Sequence, residues 1–532
     1  MDSSKKRLDG RVVTMDPKGT VLRRGSVYID KTDIVAVQDA GASPPSGFET
    51  VPAISTGGMI FPGLIDLHSH LSYNALPLWN VPKKFTNRGQ WADHPEYRQL
   101  VTGPMAALGH SSDPKILPSI ARYAEAKCLV AGVTTTQGIA LASASGVEKY
   151  YKGLVRNVET PGDKNLAAAE THIADVTASD WKKFDAEIKK AKRRLLHLAE
   201  GAQSDRTAHS HFLALNSGGT WAISSSLVGI HCAALQKDDF KTFADHDGAM
   251  VWSPLSNYLL YGTTADVGSA KSAKVKIGLG PDWSPTGSKN LLGELKAAHA
   301  ASKVLGKVFS DEELVRMVTS VAAVILSWSG RAGSVEKQKV ADLVVVGREP
   351  AIGKEYEALV KAHETDISLV LIGGVARYGL PALMKAAGVS GGETLKVGGT
   401  ERLANWDDAQ SDPLIEKIDL GEATSTLKTA LAELPNLQAK NAKELAVNSA
   451  QPGVRLALDE QEAHGFAVRP HLPMQGSPTG MYEGKQAALA PLPLLPVVLD
   501  RLTVADDPDY KTALQGEQNL PDDFKTALLE ML

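Results

Sequence analysis

The sequence predicts an α/β protein built on a closed parallel barrel. Three observations carry that expectation. Between residues 61 and 330, eight short apolar runs alternate with helix-like stretches. Both flanks of this region read as β-rich. The 532 residues, 43% hydrophobic and 22% charged, suffice for one large domain with satellites.

The first sixty residues supply strands and turns. Val27 and Ile29 alternate with polar neighbours, Asp30 to Asp33 turn the chain, and Val35 and Val37 alternate again. That is a hairpin pattern. Phe61-Pro62-Gly63 breaks it. The barrel runs are expected at Ile65–His70, Thr134–Ala140, Leu154–Glu159, His172–Thr177, Leu195–Gly201, Val228–Ala233, Ala249–Ser253 and Val275–Gly280. The third and fourth are the weakest of the eight. Ile116–Ala131 and Ala178–Arg193 are expected helices between them. A doubly wound open sheet is the competing architecture.

After residue 333 the chain turns β-rich again, at Ala341–Val346 and Ile367–Ile372, the latter followed by a Gly373-Gly374 turn. These strands are expected to pair with residues 8–60. The division that follows is residues 1–60 and 331–384 as two halves of a small β-domain, 61–330 as the barrel, and 385–532 as a C-terminal extension. In the extension, Leu427, Leu431 and Leu434 follow helical spacing, a stripe read as core packing. Its proline-rich stretch, Pro491 to Pro496, carries no assigned role.

Composition narrows the function. A net charge of −4 gives no reason to expect a nucleic-acid or anionic-membrane partner. Two cysteines, Cys128 and Cys232, fit a reducing, cytoplasmic compartment and exclude a disulfide framework. Residues 1–10 are charged and lack the apolar core of a signal peptide. No apolar run is long enough to span a membrane.

Four places could carry chemistry. In a strand, His68 and His70 at i and i+2 point to the same face and could share one metal ion; two polar residues at a strand exit is the plainer reading. His197-Leu198-Ala199-Glu200 ends an apolar run, where His197 could ligate and Glu200 could carry a proton, although an isolated HxxE also fits a solvated loop. His231 follows Gly229-Ile230 in an apolar run, where a lone histidine is more often a hydrogen-bonded core residue than a ligand. Asp282 emerges after Gly278-Leu279-Gly280-Pro281, and a metal would compensate the burial of its carboxylate. All four sites fall at the C-terminal ends of expected strands, where barrel enzymes place their active sites. One shared cavity then explains them better than four separate accounts.

At these residues the chain resembles the amidohydrolase superfamily. The matching pieces are Pro62-Gly63-Leu64-Ile65-Asp66-Leu67-His68-Ser69-His70, His197 to Gly201, Gly229-Ile230-His231-Cys232, Ser253-Pro254-Leu255-Ser256-Asn257, and Gly280-Pro281-Asp282 leading to Asn290-Leu291-Leu292. The resemblance covers roughly residues 8–380 and is strongest to the mononuclear branch, with its cytosine, guanine and S-adenosylhomocysteine deaminases and triazine hydrolases. It implies a distorted (β/α)8 TIM barrel flanked by a small β-sandwich formed from both chain ends. It also implies one divalent metal, zinc or alternatively iron, on residues matching His68, His70, His197 and Asp282. The binuclear branch uses a carboxylated lysine on strand 4, and the expected fourth strand has no lysine. Departures are Pro281, where relatives carry threonine or serine, and the unmatched residues 385–532.

The expected reaction is hydrolysis of a non-peptide carbon–nitrogen bond, as in deamination of a cyclic amidine or related heterocycle. Asp282 takes a proton from a metal-activated water, His231 polarises the attacked group, and Glu200 hands a proton to the ring nitrogen or leaving amine. An amidase, or a hydrolase with another leaving group, fits the same residues. A non-catalytic scaffold fits them least, since it needs none of the six. The expected partner is a small molecule, with a homodimer left open. In the long segment Leu71–Asp113, Tyr73, Trp79, Phe85, Trp91 and Tyr97 either line a pocket for a flat ring or pack the loop down. Trp283 is a candidate pocket wall and Asn257 a candidate polar contact.

Overall fold

The computed structural model describes residues 4–143, 146–172, 181–189, 193–413, 415, 418–447, 455–456 and 492–532. The expected N-terminal hairpin forms from Val21–Asp30 and Asp33–Asp39, with Val27 opposite Val37 and Ile29 opposite Ile34. The two flanks meet where Ala53–Pro62 runs antiparallel to Leu343–Val346, placing Phe61 beside Val344 and Ile60 beside Val345. Side chains from both flanks, among them Leu8, Val27, Ile60, Leu343, Val345 and Leu369, bury one shared apolar face. That burial holds together segments separated by the whole central region.

The flanks are hydrogen-bonded into one sheet, which does not confirm the expected sandwich. Lys5–Val13, Val21–Asp30, Asp33–Asp39 and Ala53–Pro62 join five later strands in one continuous nine-stranded sheet. No second, stacked sheet is formed by the described flanking strands. The sheet also continues past residue 384, through Glu393–Val397 and Thr400–Ala404. Hydrogen bonding from strand to strand across the Ala53–Pro62 junction is what merges the halves.

The central region has a TIM-barrel-like α/β fold. Its eight parallel strands are β1 (Leu64–Ile65), β2 (Val133–Thr136), β3 (Arg156–Asn157), β4 (Ala169–His172), β5 (Arg193–Leu198), β6 (Leu227–His231), β7 (Ala249–Trp252) and β8 (Lys276–Leu279). They form two arcs, β1-β2-β3 and β4-β5-β6-β7-β8, rather than one continuously hydrogen-bonded sheet. Backbone bonds bridge both seams, among them Ala169 N–H to Val158 O at 2.9 Å and Leu67 N–H to Leu279 O at 3.2 Å. Neighbouring strands follow chain order, without the reversal that a doubly wound sheet requires.

Three strands depart from expectation: β1 stops at Ile65, so His68 and His70, expected inside a strand Ile65–His70, lie beyond its end, and β3 and β4 also differ. β3 is only two residues long within the expected Leu154–Glu159, and β4 lies upstream of the expected His172–Thr177. Residues 173–177 lie outside the described residues. β4 is fixed by polar side chains: Glu170 pairs with Arg194 at 2.7 Å, and Thr171 donates to Glu159 at 2.6 Å. A strand secured in that way carries no apolar run to recognise. The expected helix Ile116–Ala131 is found at Ile116–Val130, and that at Ala178–Arg193 is described over Trp181–Ile188.

The C-terminal region packs on the barrel. Leu427 and Leu431 lie in the helix Leu420–Ala432, and Leu434 starts a second helix; all three are fully buried. Residues 492–532 cross the barrel near the C-terminal ends of its strands. Asp500 N–H donates to Ala75 O at 2.9 Å. The Asn519 amide donates to Lys83 O at 2.9 Å and to Leu259 O at 2.8 Å. The Phe524 ring lies 4.2 Å from that of Tyr258. Asp500 itself is buried between Lys127 and Lys289, and Lys127 also donates to Asn74 O and Ser284 Oγ, each at 2.8 Å.

Candidate metal centre

His68 and His70 follow β1, and the backbone there is stitched to the exit of β8. Asp282 N–H donates to His68 O at 3.1 Å and His70 N–H to Asp282 O at 2.7 Å. These bonds bring the Asp282 carboxylate to both imidazoles: Oδ1 lies 3.1 Å from His68 Nε2 and 3.2 Å from His70 Nε2. Gly280 makes the approach possible, since a Cβ there would stand 2.6 Å from His68 N. The glycine thus serves a close contact between strand exits.

His197 is the penultimate residue of β5 and His231 the last of β6. The His68 and His197 rings are 4.9 Å apart, His68 and His231 5.3 Å, and His197 and His231 5.2 Å. One ligand atom from each of His68, His70 and His197 lies within 4.8 Å of the others. The sets His68, His231, Asp282 and His197, Glu200, His231 meet the same limit. All six sequence-selected residues therefore share one location. His231 and Asp282 hold left-handed backbone, with φ of 66° and 67°. That conformation is strained for a residue with a side chain and persists where the surroundings enforce it.

Burial tunes the protonation states. It lowers the pKa of His68, of His197 well below the usual range, and of His231 to about 3. Burial opposes ionisation of Asp282, yet its contacts with His68 and His70 outweigh this and hold its carboxyl well below the usual range. At neutral pH, His68, His197 and His231 are therefore neutral imidazoles beside the Asp282 carboxylate. His68 Nδ1 donates to Gln137 Oε1 at 3.4 Å, so its Nε2 lone pair faces an Asp282 oxygen. His197 Nδ1 and His231 Nε2 are buried with no hydrogen-bond partner. The His68 lone pair facing a carboxylate and the orphaned His197 nitrogen fit a borderline divalent cation. The residues present therefore suit a metal ion.

Several neighbours escape sequence reasoning. Asp66, whose carboxyl is pushed up to about 8 by burial, accepts His68 N–H at 2.9 Å. Ser256 donates to Asp282 Oδ2 at 2.6 Å. Tyr261 donates to Glu200 Oε1 at 2.8 Å. Ser256 and Tyr261 lie on the helix Pro254–Tyr261, after β7, and no sequence spacing links them to their partners. Asn257 is not an open contact: its amide donates to His231 Nδ1 at 3.1 Å, directing the other ring nitrogen towards Glu200 Oε2 at 3.8 Å. The five loop aromatics are all buried. Trp283 lies against His70, ring centroids 5.0 Å apart, and against Tyr73 at 4.9 Å.

Residues 178–377 match the amidohydrolase family. A 5-methylthioadenosine/S-adenosylhomocysteine deaminase of Syntrophobacter fumaroxidans is 25% identical over 408 residues, covering 69% of this chain and 91% of that protein. The S-triazine hydrolase of Gordonia rubripertincta is 21% identical over 421 residues, covering 69% and 88%. Two solved structures share the fold. The zinc-bound adenosine deaminase of Xanthomonas campestris has a TM-score of 0.56 at 15% identity, covering 81% of this chain and 98% of that one. The zinc complex of atrazine chlorohydrolase from Arthrobacter aurescens has a TM-score of 0.57 at 18% identity, covering 80% and 99%. Over residues 178–377 the chain thus matches the amidohydrolase family, and the relatives it is similar to over two thirds of its length are a deaminase and a triazine hydrolase.

Proposed function

We propose that this protein is a mononuclear metal-dependent hydrolase of non-peptide carbon–nitrogen bonds that exchanges the amino group of a heterocycle for oxygen, releasing ammonia. One observation carries the reading: His68, His70, His197 and Asp282, from three distant segments, converge with donor atoms a few ångströms apart. These four would hold one zinc ion. When bound, the ion supplies the Lewis acidity that makes water a nucleophile near neutral pH. β4, as described, contains no lysine, which favours one metal over two.

The chain's own groups then divide the work. Asp282, ionised and steadied by Ser256, takes the proton of the attacking water. His231 presents Nε2–H, because Nδ1 accepts from Asn257, and stabilises charge on the attacked group. Glu200 carries a proton to the ring nitrogen or departing amine. The buried aromatic side chains around Trp283 exclude water and suit a flat ring. The two strand arcs are read as one distorted (β/α)8 barrel, residues 61–330. The flanks 1–60 and 331–384 form the β-domain, and 385–532 an added C-terminal region. The cytoplasm is the matching compartment, since Cys128 and Cys232 are both free.

A second reading keeps the site and changes the leaving group. Its support is the triazine hydrolase among the relatives. Zinc-loaded protein assayed on adenosine, S-adenosylhomocysteine, guanine, cytosine and a chlorotriazine separates the two. Ammonia release supports deamination, and chloride release supports the second reading. Metal below about 0.2 ion per chain after purification, with no activation by added zinc, would overturn both.

A further inference from the structure

We propose that Tyr261 is a positioning residue for Glu200, and that Trp91 makes this positioning depend on the seating of residues 85–91 across the barrel's C-terminal end. The inference rests on the proton-carrying role given to Glu200 above.

Glu200 is 3% exposed, and a buried carboxylate acts on a proton only if its oxygens are aimed. Tyr261 Oη donates to Oε1 at 2.8 Å. That leaves Oε2 towards His231 Nε2 at 3.8 Å and Arg88 Nε at 3.9 Å. A phenolic hydroxyl can rotate about its C–O bond, so something must set its direction. Trp91 Nε1–H donates to Tyr261 Oη at 2.9 Å. With one lone pair taken by the indole, the hydroxyl hydrogen is directed at the carboxylate, and the two bonds polarise each other in one chain. Burial, with the nearby Glu200 charge, raises the Tyr261 pKa well above its usual value, so the hydroxyl remains a donor.

Trp91 sits in the short helix Arg88–Ala92, and the segment before it grips both partners of the chain. Ala202 N–H donates to Thr86 O at 2.7 Å, and Asn87 forms an antiparallel bridge with Gly201, the residue after Glu200. Thr86 Oγ1 and Asn87 Nδ2 both donate to Asp205 Oδ2, at 2.5 Å and 2.9 Å. On the other side, Phe85 N–H donates to Leu260 O at 2.8 Å, beside Tyr261. A Cβ on Gly201 would stand 2.6 Å from Thr86 O, so only glycine admits this docking. Residues 85–91 thus join the loop bearing Glu200 to the helix bearing Tyr261. The same Trp91 ring lies 6.3 Å from Trp283, which contacts His70. Seating of the segment and aiming of the carboxylate are one event.

The test uses the zinc-loaded full chain and the fastest substrate from the panel above. Tyr261→Phe keeps the ring and removes the hydroxyl. It is expected to lower kcat by about tenfold or more, with KM within about threefold and metal content unchanged. In an E200Q background the same change should lower kcat by less than about twofold, because the bond it removes no longer aims a proton carrier. Trp91→Phe should lower kcat less than Tyr261→Phe. Full kcat in Tyr261→Phe, or an equal loss in the E200Q background, would overturn the inference. E200Q at wild-type turnover would instead sink the role of Glu200 itself. A measurement independent of turnover is amide hydrogen exchange: Tyr261→Phe and Gly201→Ala should each speed exchange in residues 85–91. Unchanged protection in both would also overturn the inference.

Discussion

Gly280 faces His68 so closely that no side chain fits between them: a Cβ on Gly280 would stand 2.6 Å from both the His68 amide nitrogen and its Cβ. Backbone is the obstacle, so rotamer changes cannot relieve the clash. Gly280→Ala is expected to destabilise the fold by about 1–3 kcal/mol and to weaken zinc binding by about tenfold or more, because the Asp282 carboxylate is displaced from both imidazoles. Chelator competition measures the affinity. Unaltered zinc affinity would show that the two strand exits are not rigidly joined.

Asp282 combines left-handed backbone with a negative charge, and the two can be separated. Asn tolerates that backbone as well as Asp does, so Asp282→Asn should fold with near-normal thermal stability in the metal-free state. Its metal content should fall below about 0.2 ion per chain, with turnover lost. Stoichiometric zinc in this variant would show that the carboxylate is not needed to hold the ion.

Asp500 lies buried between the ammonium groups of Lys127 and Lys289, far from the metal centre in sequence. Asp500→Asn leaves two buried cations without their shared carboxylate. A loss of about 3–5 kcal/mol is expected in chemical denaturation. Lys127 also donates to Ser284 and Asn74, next to the exits of β8 and β1, so metal affinity should fall with stability. A stability change below about 1 kcal/mol would show that the buried triad is dispensable.

Lys296 supplies a pH test. Burial lowers its pKa from 10.5 to about 8 in the fold. Between these values the unfolded chain carries a proton that the folded one lacks, so its contribution to stability increases as pH rises from about 8 to about 10.5. Relative to Lys296→Met, the wild-type protein should gain stability across that window and show a flat difference below it. Urea denaturation at four pH values checks this. A difference that shrinks with rising pH would contradict the sign.

Much of the site was legible because barrel chemistry sits at strand ends, and strand ends can be read. His68, His70, His197, His231 and Asp282 each follow an apolar run or a glycine-rich exit, and each is found beside the others. β3 and β4 were poorly legible because polar contacts such as Glu170 with Arg194 secure β4. Tyr261 and Asp500 could not be read at all. Their partners are set by how the helix after β7 and the C-terminal segment lie across the barrel, a matter of three-dimensional packing with no periodic trace. The aromatic residues of 71–113 illustrate the limit from the other side. Their composition allowed either pocket lining or loop packing, and only the packing of Trp91 against Tyr261 and Trp283 tells which of them adjoin the site.

The buried carboxylate of Asp500 has a consequence for biosynthesis. It follows Lys289 by 211 residues and Lys127 by 373. At about 5–20 residues per second, translation delivers it roughly 10–40 s after Lys289. Until it leaves the ribosome, the nascent barrel holds two ammonium groups that have no counter-charge and must stay hydrated. The interior can seal only after residue 500 has emerged, so a product that stalls before it would present a wet, chaperone-accessible core.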